Sequence, residues 1–372
     1  MPARAYTTPE VLRWARESAA MTIEAAAHRV KVKPERLEEA ERGDHFLTLR
    51  QAKLLAEAYG RSLGTLFRPE PPQEASTEAR FRRLRGAPPP PWSPELIKLE
   101  RAIRERQEAA VDLYTALGES PPWHEAARRL GLERRLPAPD VVMQLLDLAP
   151  PALRSSNAND RWFSRRIVLR AVEWAGVLVI RQAVPDRGVR GFLAPHPDTP
   201  AIYVNSSEDP RAQAFTILHE FAHLLLTATN QQEANEEAWC DQYASELLMP
   251  TEEFERAFVA NRSRGPVRCA IELGRDFGVT PYAAAMRARR LELFSVADLV
   301  AVRDRPIERP APARGGDGNR TKVAKLSPSF TDLVLAAADS SAITLTDASR
   351  LLRTKVDDFP KLRRYVEEAL GD

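Results

Sequence analysis

The stretch Phe215-Thr-Ile-Leu-His-Glu-Phe-Ala-His-Leu-Leu-Leu226 decides how this chain is read. An α-helix advances 3.6 residues per turn, so side chains four apart leave the same face. His219 and His223 therefore present two imidazoles together on a strongly apolar helix. Two imidazoles at that spacing bind one divalent ion, and the intervening Glu220 lies within reach of water on that ion. A plainer reading makes them a surface pair on a helix buried through Phe215, Ile217, Leu218, Leu224 and Leu225. That reading leaves a His-Glu-His triplet in an apolar run without partners, which is unfavourable to bury.

Catalytic zinc keeps three protein ligands and an open fourth position. All six histidines lie at or before position 223, so no later histidine completes the site and a carboxylate must. Glu237 is the first choice, with Glu233 and Glu236 competing. Glu237 opens a second apolar run, Glu237-Ala-Trp-Cys-Asp-Gln-Tyr-Ala-Ser-Glu-Leu-Leu-Met-Pro250, that puts Asp241 one turn later on the same face. Asp241 is placed to accept a hydrogen bond from the far nitrogen of a ligating histidine. Tyr203, His196 and Tyr243 are candidates, by chemistry alone, to stabilise an oxyanion. Cys240 beside Glu237 reads as a small buried apolar residue.

Together, Ile202-Tyr-Val-Asn-Ser-Ser-Glu-Asp-Pro210 leading into the histidine helix, and the Glu237–Pro250 run, resemble the ImmA/IrrE family of bacterial zinc metallopeptidases. The resemblance extends from Ile167–Ile180 through Gly191-Phe-Leu to Ile271–Phe294, about residues 155 to 295. It implies zinc held by His219, His223 and Glu237, with Glu220 as general base for amide hydrolysis. Asp241 departs from the family, which usually has Asn there. Several members cleave a repressor and so induce stress-response or mobile-element genes, which implies a repressor or neighbouring-gene product as substrate.

Outward from this core the chain divides. Residues 6–70 carry short amphipathic helical patterns (Val11, Leu12 and Ala15; Ile23, Ala26, Ala27 and Val30; Leu54, Leu55 and Ala58) and resemble an XRE-type helix-turn-helix domain. The second helix of such a motif would be Pro34–Arg42, whose Glu35, Glu38 and Glu39 suit a polyanion poorly. Arg29, Lys31, Lys33 and Arg36 are the candidate DNA contacts. DNA, a protein partner or a second copy of the chain are the candidate occupants of this module. Residues 71–154 read as a proline-rich linker and helical connector, with a basic cluster at Arg80–Arg85. Residues 296–372 read as a flexible linker, strongest over 305–320, and a small helical unit.

The expected class is mainly α, with an α+β peptidase core around a small sheet. The net charge of +2, from 54 basic and 52 acidic residues, gives no whole-molecule pull on nucleic acid or anionic lipid. With two cysteines, no apolar stretch near the roughly 18 residues of a span and no apolar signal core, the expectation is a soluble cytoplasmic protein. The reading kept beside the zinc peptidase is a DNA- or protein-binding regulator, antitoxin-like, whose zinc site is structural or inactive.

Overall fold

The structure is a computed structural model that describes residues 3–74, 92–148, 160–186, 188–304 and 317–371. The chain is mainly helical and divides into two compact units, residues 1–105 with 184–189, and residues 106–183 with 190–372. No helix among the described residues is long and apolar enough to cross a membrane.

In the first unit, helices α1 (Pro9–Glu17), α2 (Ile23–Val30), α3 (Pro34–Arg42) and α4 (Leu49–Tyr59) and a 3-10 turn at Leu63–Phe67 enclose Leu12, Ala15, Leu37, Leu55 and Leu66. Thr22 caps α2 through the Ala25 N–H, and Thr48 and Gln51 form a reciprocal cap on α4. Two short strands, β1 (Arg4–Ala5) and β2 (Leu47–Thr48), pair antiparallel. Inside, Arg16 holds buried Glu41 at 2.8 and 2.9 Å. The buried stripe of α4 is Ala52, Leu55, Ala56 and Tyr59, whereas Leu54 faces outward. The expected Leu54-Leu55-Ala58 stripe was thus rotated by part of a turn, because Tyr59 supplies the larger apolar surface. Lys31 ends α2 in the left-handed region at φ 57°, a conformation that glycine adopts without strain.

The second unit takes in the latter part of α5 (Pro94–Leu117), then α6 (Pro122–Leu130), α7 (Pro139–Leu146) and α8 (Phe163–Trp174). A three-stranded sheet follows, formed by β3 (Leu178–Gln182), β4 (Gly191–Ala194) and β5 (Ala201–Asn205) in the order β3-β5-β4. β3 and β5 run parallel, with Leu178 opposite Ala201, and β4 pairs antiparallel to β5, with Phe192 opposite Tyr203. β-branched and aromatic residues favour these strands. Successive side chains alternate faces. Val179, Leu193, Ile202 and Val204 join the core containing α8, α9 (Pro210–Ala228) and α10 (Glu236–Leu248), while Ile180, Phe192 and Tyr203 are buried on the other face.

Gly176, at φ 84°, turns the chain from α8 into β3, and any side chain there would collide with the backbone of Pro122 and Trp123. Beyond α10 come α11 (Thr251–Asn261), α12 (Pro266–Asp276), α13 (Pro281–Arg290) and α14 (Val296–Arg303). The last four helices are α15 (Gly318–Leu326), α16 (Pro328–Asp339), α17 (Leu345–Leu351) and α18 (Phe359–Leu370). Residues 317–320, read as linker, are the Asp317 cap and first turn of α15, whose side chain receives the Asn319 and Arg320 N–H groups. The rest of that expected linker, 305–316, and the Arg80–Arg85 cluster lie outside the described residues.

The last helices pack on β3 and α8 through a buried carboxylate. Glu173 accepts from the Val179 and Ser329 N–H groups at 2.8 Å each and from the Ser327 hydroxyl at 2.9 Å. Burial pushes its pKa up from 4.5 to about 7, against those hydrogen bonds. A carboxyl raised on folding favours the folded chain while protonated. Its contribution is complete below about pH 4.5 and is lost as pH rises to about 7, by up to roughly 3 kcal/mol. Glu173→Gln is expected to flatten that dependence and, by removing an acceptor from Ser329, to cost about 1–3 kcal/mol. Thermal unfolding of both proteins from pH 4.5 to 8 checks this.

Candidate metal centre

α9 starts at Asp209, whose carboxylate receives the Arg211 N–H, with Pro210 in the first turn. It is buried on almost every side from Gln213 to Leu226, so it has little freedom to rotate or shift. α10 packs against it and is capped by Asn235 through the Ala238 N–H.

The two helices bring His219, His223 and Glu237 together, with one ligand atom from each inside a 4.8 Å cluster. The Nε2 atoms of the histidines face each other at 3.2 Å, and each lies 3.4 Å from a Glu237 carboxylate oxygen. Each far nitrogen has its own carboxylate. His219 Nδ1 is 3.1 Å from Asp241 Oδ1, and His223 Nδ1 is 2.8 Å from Glu236 Oε1. The His223 contact is a hydrogen bond that favours a proton on Nδ1, whereas the His219 contact is a close approach without hydrogen-bond geometry; with both protons on Nδ1 the two Nε2 lone pairs would point at one space. Two lone pairs at that distance repel unless a proton or cation lies between them. The donor set of two imidazoles and a carboxylate, with no fourth ligand in the cluster among the described residues, suits zinc.

Electrostatics point the same way. Burial pulls His219 down, but Asp241, Glu220 and Glu237 outweigh it and the net shift is upward. His223 is lowered by burial and then by His219. Glu220 is pushed up to about 8, first by burial and then by Glu237, with His219 opposing. The Leu193 backbone N–H of β4 favours its ionised form slightly, and its Oε2 has no hydrogen-bond partner. A side chain at Gly191 would meet Thr216 Cγ2 at 2.5 Å and Tyr203 O at 2.7 Å, so only glycine lets β4 lie this close to α9.

Of the residues expected at the site, His219, Glu220, His223, Glu237 and Asp241 come together here. Glu236, a competing third ligand, instead holds His223 from behind, and Glu233 is not in the cluster. Arg290 of α13 pairs with Asp241 at 3.2 Å and partly offsets its charge. Nothing in the sequence flagged it. The Tyr203 hydroxyl donates to Gln182 O at 3.0 Å and the Tyr243 hydroxyl to Pro137 O at 2.7 Å. His196 Nδ1 accepts the Asp198 and Thr199 N–H groups at 3.2 Å each. No described hydrogen bond joins these three side chains to the histidine pair. Cys240 is buried, with its thiol pKa raised by burial and the surrounding carboxylates.

The expected DNA contacts belong to the first unit. Arg29 lies 3.6 Å from Glu95 and Arg36 lies 3.1 Å from Glu39, while Lys31 and Lys33 are exposed. Arg42 also faces Glu38 and Asp44, so α3 neutralises its cations with its own acids.

Titrating the metal-free protein with zinc against a chromophoric chelator is expected to give one site per chain. Asp241→Asn and Glu236→Gln should keep that stoichiometry but weaken affinity about 10–100-fold, the usual range for partners of ligating histidines. Unchanged affinity in both would remove these carboxylates from the site.

Comparison with known proteins gives one match. No curated protein and no solved structure matches the chain. Residues 172–289, which hold β3–β5, the histidine pair and the four carboxylates around it, match the model of a peptidase family described as the IrrE N-terminal-like domain.

Proposed function

We propose that this chain is a zinc-dependent endopeptidase that regulates gene expression by cleaving a specific partner protein. One observation carries the chemistry: two imidazole lone pairs and the Glu237 carboxylate converge beside a buried Glu220 with a partnerless oxygen. Zinc bound there supplies Lewis acidity, which lowers the pKa of water toward about 7 and polarises an amide carbonyl. The chain supplies the rest. His219, His223 and Glu237 hold the ion, and Asp241 and Glu236 fix the two rings. Glu220 Oε2 takes the proton of the attacking water and delivers it to the departing amine. Positive charge opposite Glu220 pulls its pKa down into the range of a base.

A purely structural zinc site is less well supported. Structural sites close the coordination shell with four protein ligands. Here three converge, and Glu237 has 67% of its side chain exposed, so water and substrate can reach the cluster. The regulatory part rests on the family resemblance, with a repressor or neighbouring-gene product as substrate in a stress or mobile-element response. The α2–turn–α3 pair of the first unit serves recruitment, of DNA or of the protein target.

Glu220→Gln is expected to keep one zinc per chain and to slow cleavage about 10²–10⁴-fold. The protein that co-purifies with this variant is the substrate candidate, and wild type should cut it. If fully metallated wild type leaves it intact, the peptidase reading falls. For the first unit, gel shifts at several salt concentrations separate the charges. Lys31→Ala with Lys33→Ala should reduce the salt slope by about two, whereas Arg29→Ala and Arg36→Ala, already ion-paired, should change it less. Equal losses at all four positions would contradict this reading of the charges.

A further inference from the structure

From Gln213 to Leu226, α9 is buried at every position except Phe215 and His219. These two are four residues apart, so they leave the helix on one face. Their ring centroids lie 6.3 Å apart, with the planes tilted by 33°. Phe215 packs in part on the core and keeps part of its surface in solvent.

The cluster opens toward that face. His223, one turn beyond His219, is buried, and Thr227 one turn further on donates to the His223 carbonyl at 2.8 Å. On the inner side lie buried Glu220 and the backbone of β4 at Gly191. Solvent reaches the ligand atoms past His219, which is partly exposed, and past exposed Glu237. A peptide that approaches from there lies beside the Phe215 ring.

The neighbours of that ring are polar or already occupied. One turn earlier on α9, Arg211 is paired with Asp209 at 3.2 Å. On α10, Asp241 is paired with Arg290, and the Trp239 ring is stacked on Tyr243 at 4.7 Å. Phe215 therefore offers an apolar surface next to the convergent ligand atoms. Covering it with an apolar side chain is favourable, and an aromatic ring adds stacked or edge contacts. An acidic side chain there would lose water and face the Glu237 and Asp241 carboxylates.

We propose, on the peptidase reading above, that Phe215 is a specificity-determining residue. It is the platform for an aromatic or large aliphatic side chain beside the scissile bond of the substrate, and it disfavours an acid there.

The test titrates the zinc-loaded full chain calorimetrically with three hydroxamates, which anchor on zinc. Acetohydroxamate has no side chain, 3-phenylpropanohydroxamate carries a ring, and succinate monohydroxamate carries a carboxylate. The phenyl compound is expected to bind at least about 10-fold tighter than acetohydroxamate, and the acid no tighter. Phe215→Ala should erase that advantage and Phe215→Leu should keep part of it. Both variants should still bind one zinc per chain and acetohydroxamate as wild type does. If wild type binds the phenyl compound no tighter than the other two, or if Phe215→Ala keeps the advantage, the proposal is overturned while the metal centre stands. If both variants lose acetohydroxamate as well, the ring serves to hold His219 and the specificity role is overturned. If zinc-loaded wild type binds none of the three, the peptidase reading fails and this inference falls with it.

Discussion

Two imidazole nitrogens facing each other at 3.2 Å are the constraint around which the second unit is organised. With two bare lone pairs that contact is repulsive, and a proton or a cation between them makes it attractive. His223 is held from behind by a hydrogen bond to Glu236, and His219 Nδ1 lies 3.1 Å from Asp241. Four carboxylates (Glu220, Glu236, Glu237 and Asp241) surround the pair, and Arg290 is the cation paired with one of them. Such a cluster stores negative charge that has to be met by protons or by a metal. The raised values of His219 and Glu220 are the proton answer, and a divalent cation is the more complete one.

The scaffold makes that arrangement rigid with little machinery. α10 supplies all the outer carboxylates within six residues: Glu236 reaches back to His223, Glu237 faces both rings, and Asp241, one turn on, meets His219. α9 is buried around most of its surface, so its two histidines inherit the fixed position of the core. β4 closes the remaining side. Because residue 191 has no side chain, the strand comes close to α9 beside Thr216 and Glu220. Glu220 Oε2 is left buried without a hydrogen-bond partner.

The legible part of the site was the part governed by helical spacing. His219, Glu220 and His223 share one turn, and Glu237 and Asp241 share the next helix, so their grouping needed only the 3.6-residue period. What escaped depends on contacts distant in sequence. Arg290 reaches Asp241 across 49 residues, and Glu173 ties α8 to Ser327 across 154. β4 has only four residues and no alternation of polar and apolar positions, since all four are buried, so it carries no period-two signal. The neutral face of α3 was half legible: the glutamates were evident, but the pairing of Arg36 and Arg42 with Glu39 and Glu38 depends on rotamers as well as spacing.

The candidate metal triad is uneven in exposure. His223 is 1% exposed and His219 13%, whereas Glu237 is 67% exposed. A buried imidazole already held on its far side gives up little to become a ligand. An exposed carboxylate must exchange water for the ion and order a flexible side chain, so its net contribution is smaller. Grip therefore resides in the histidines, and openness resides at Glu237. Anything that approaches the cluster from solvent meets that carboxylate first, so the same side chain that completes the site is also its most responsive member.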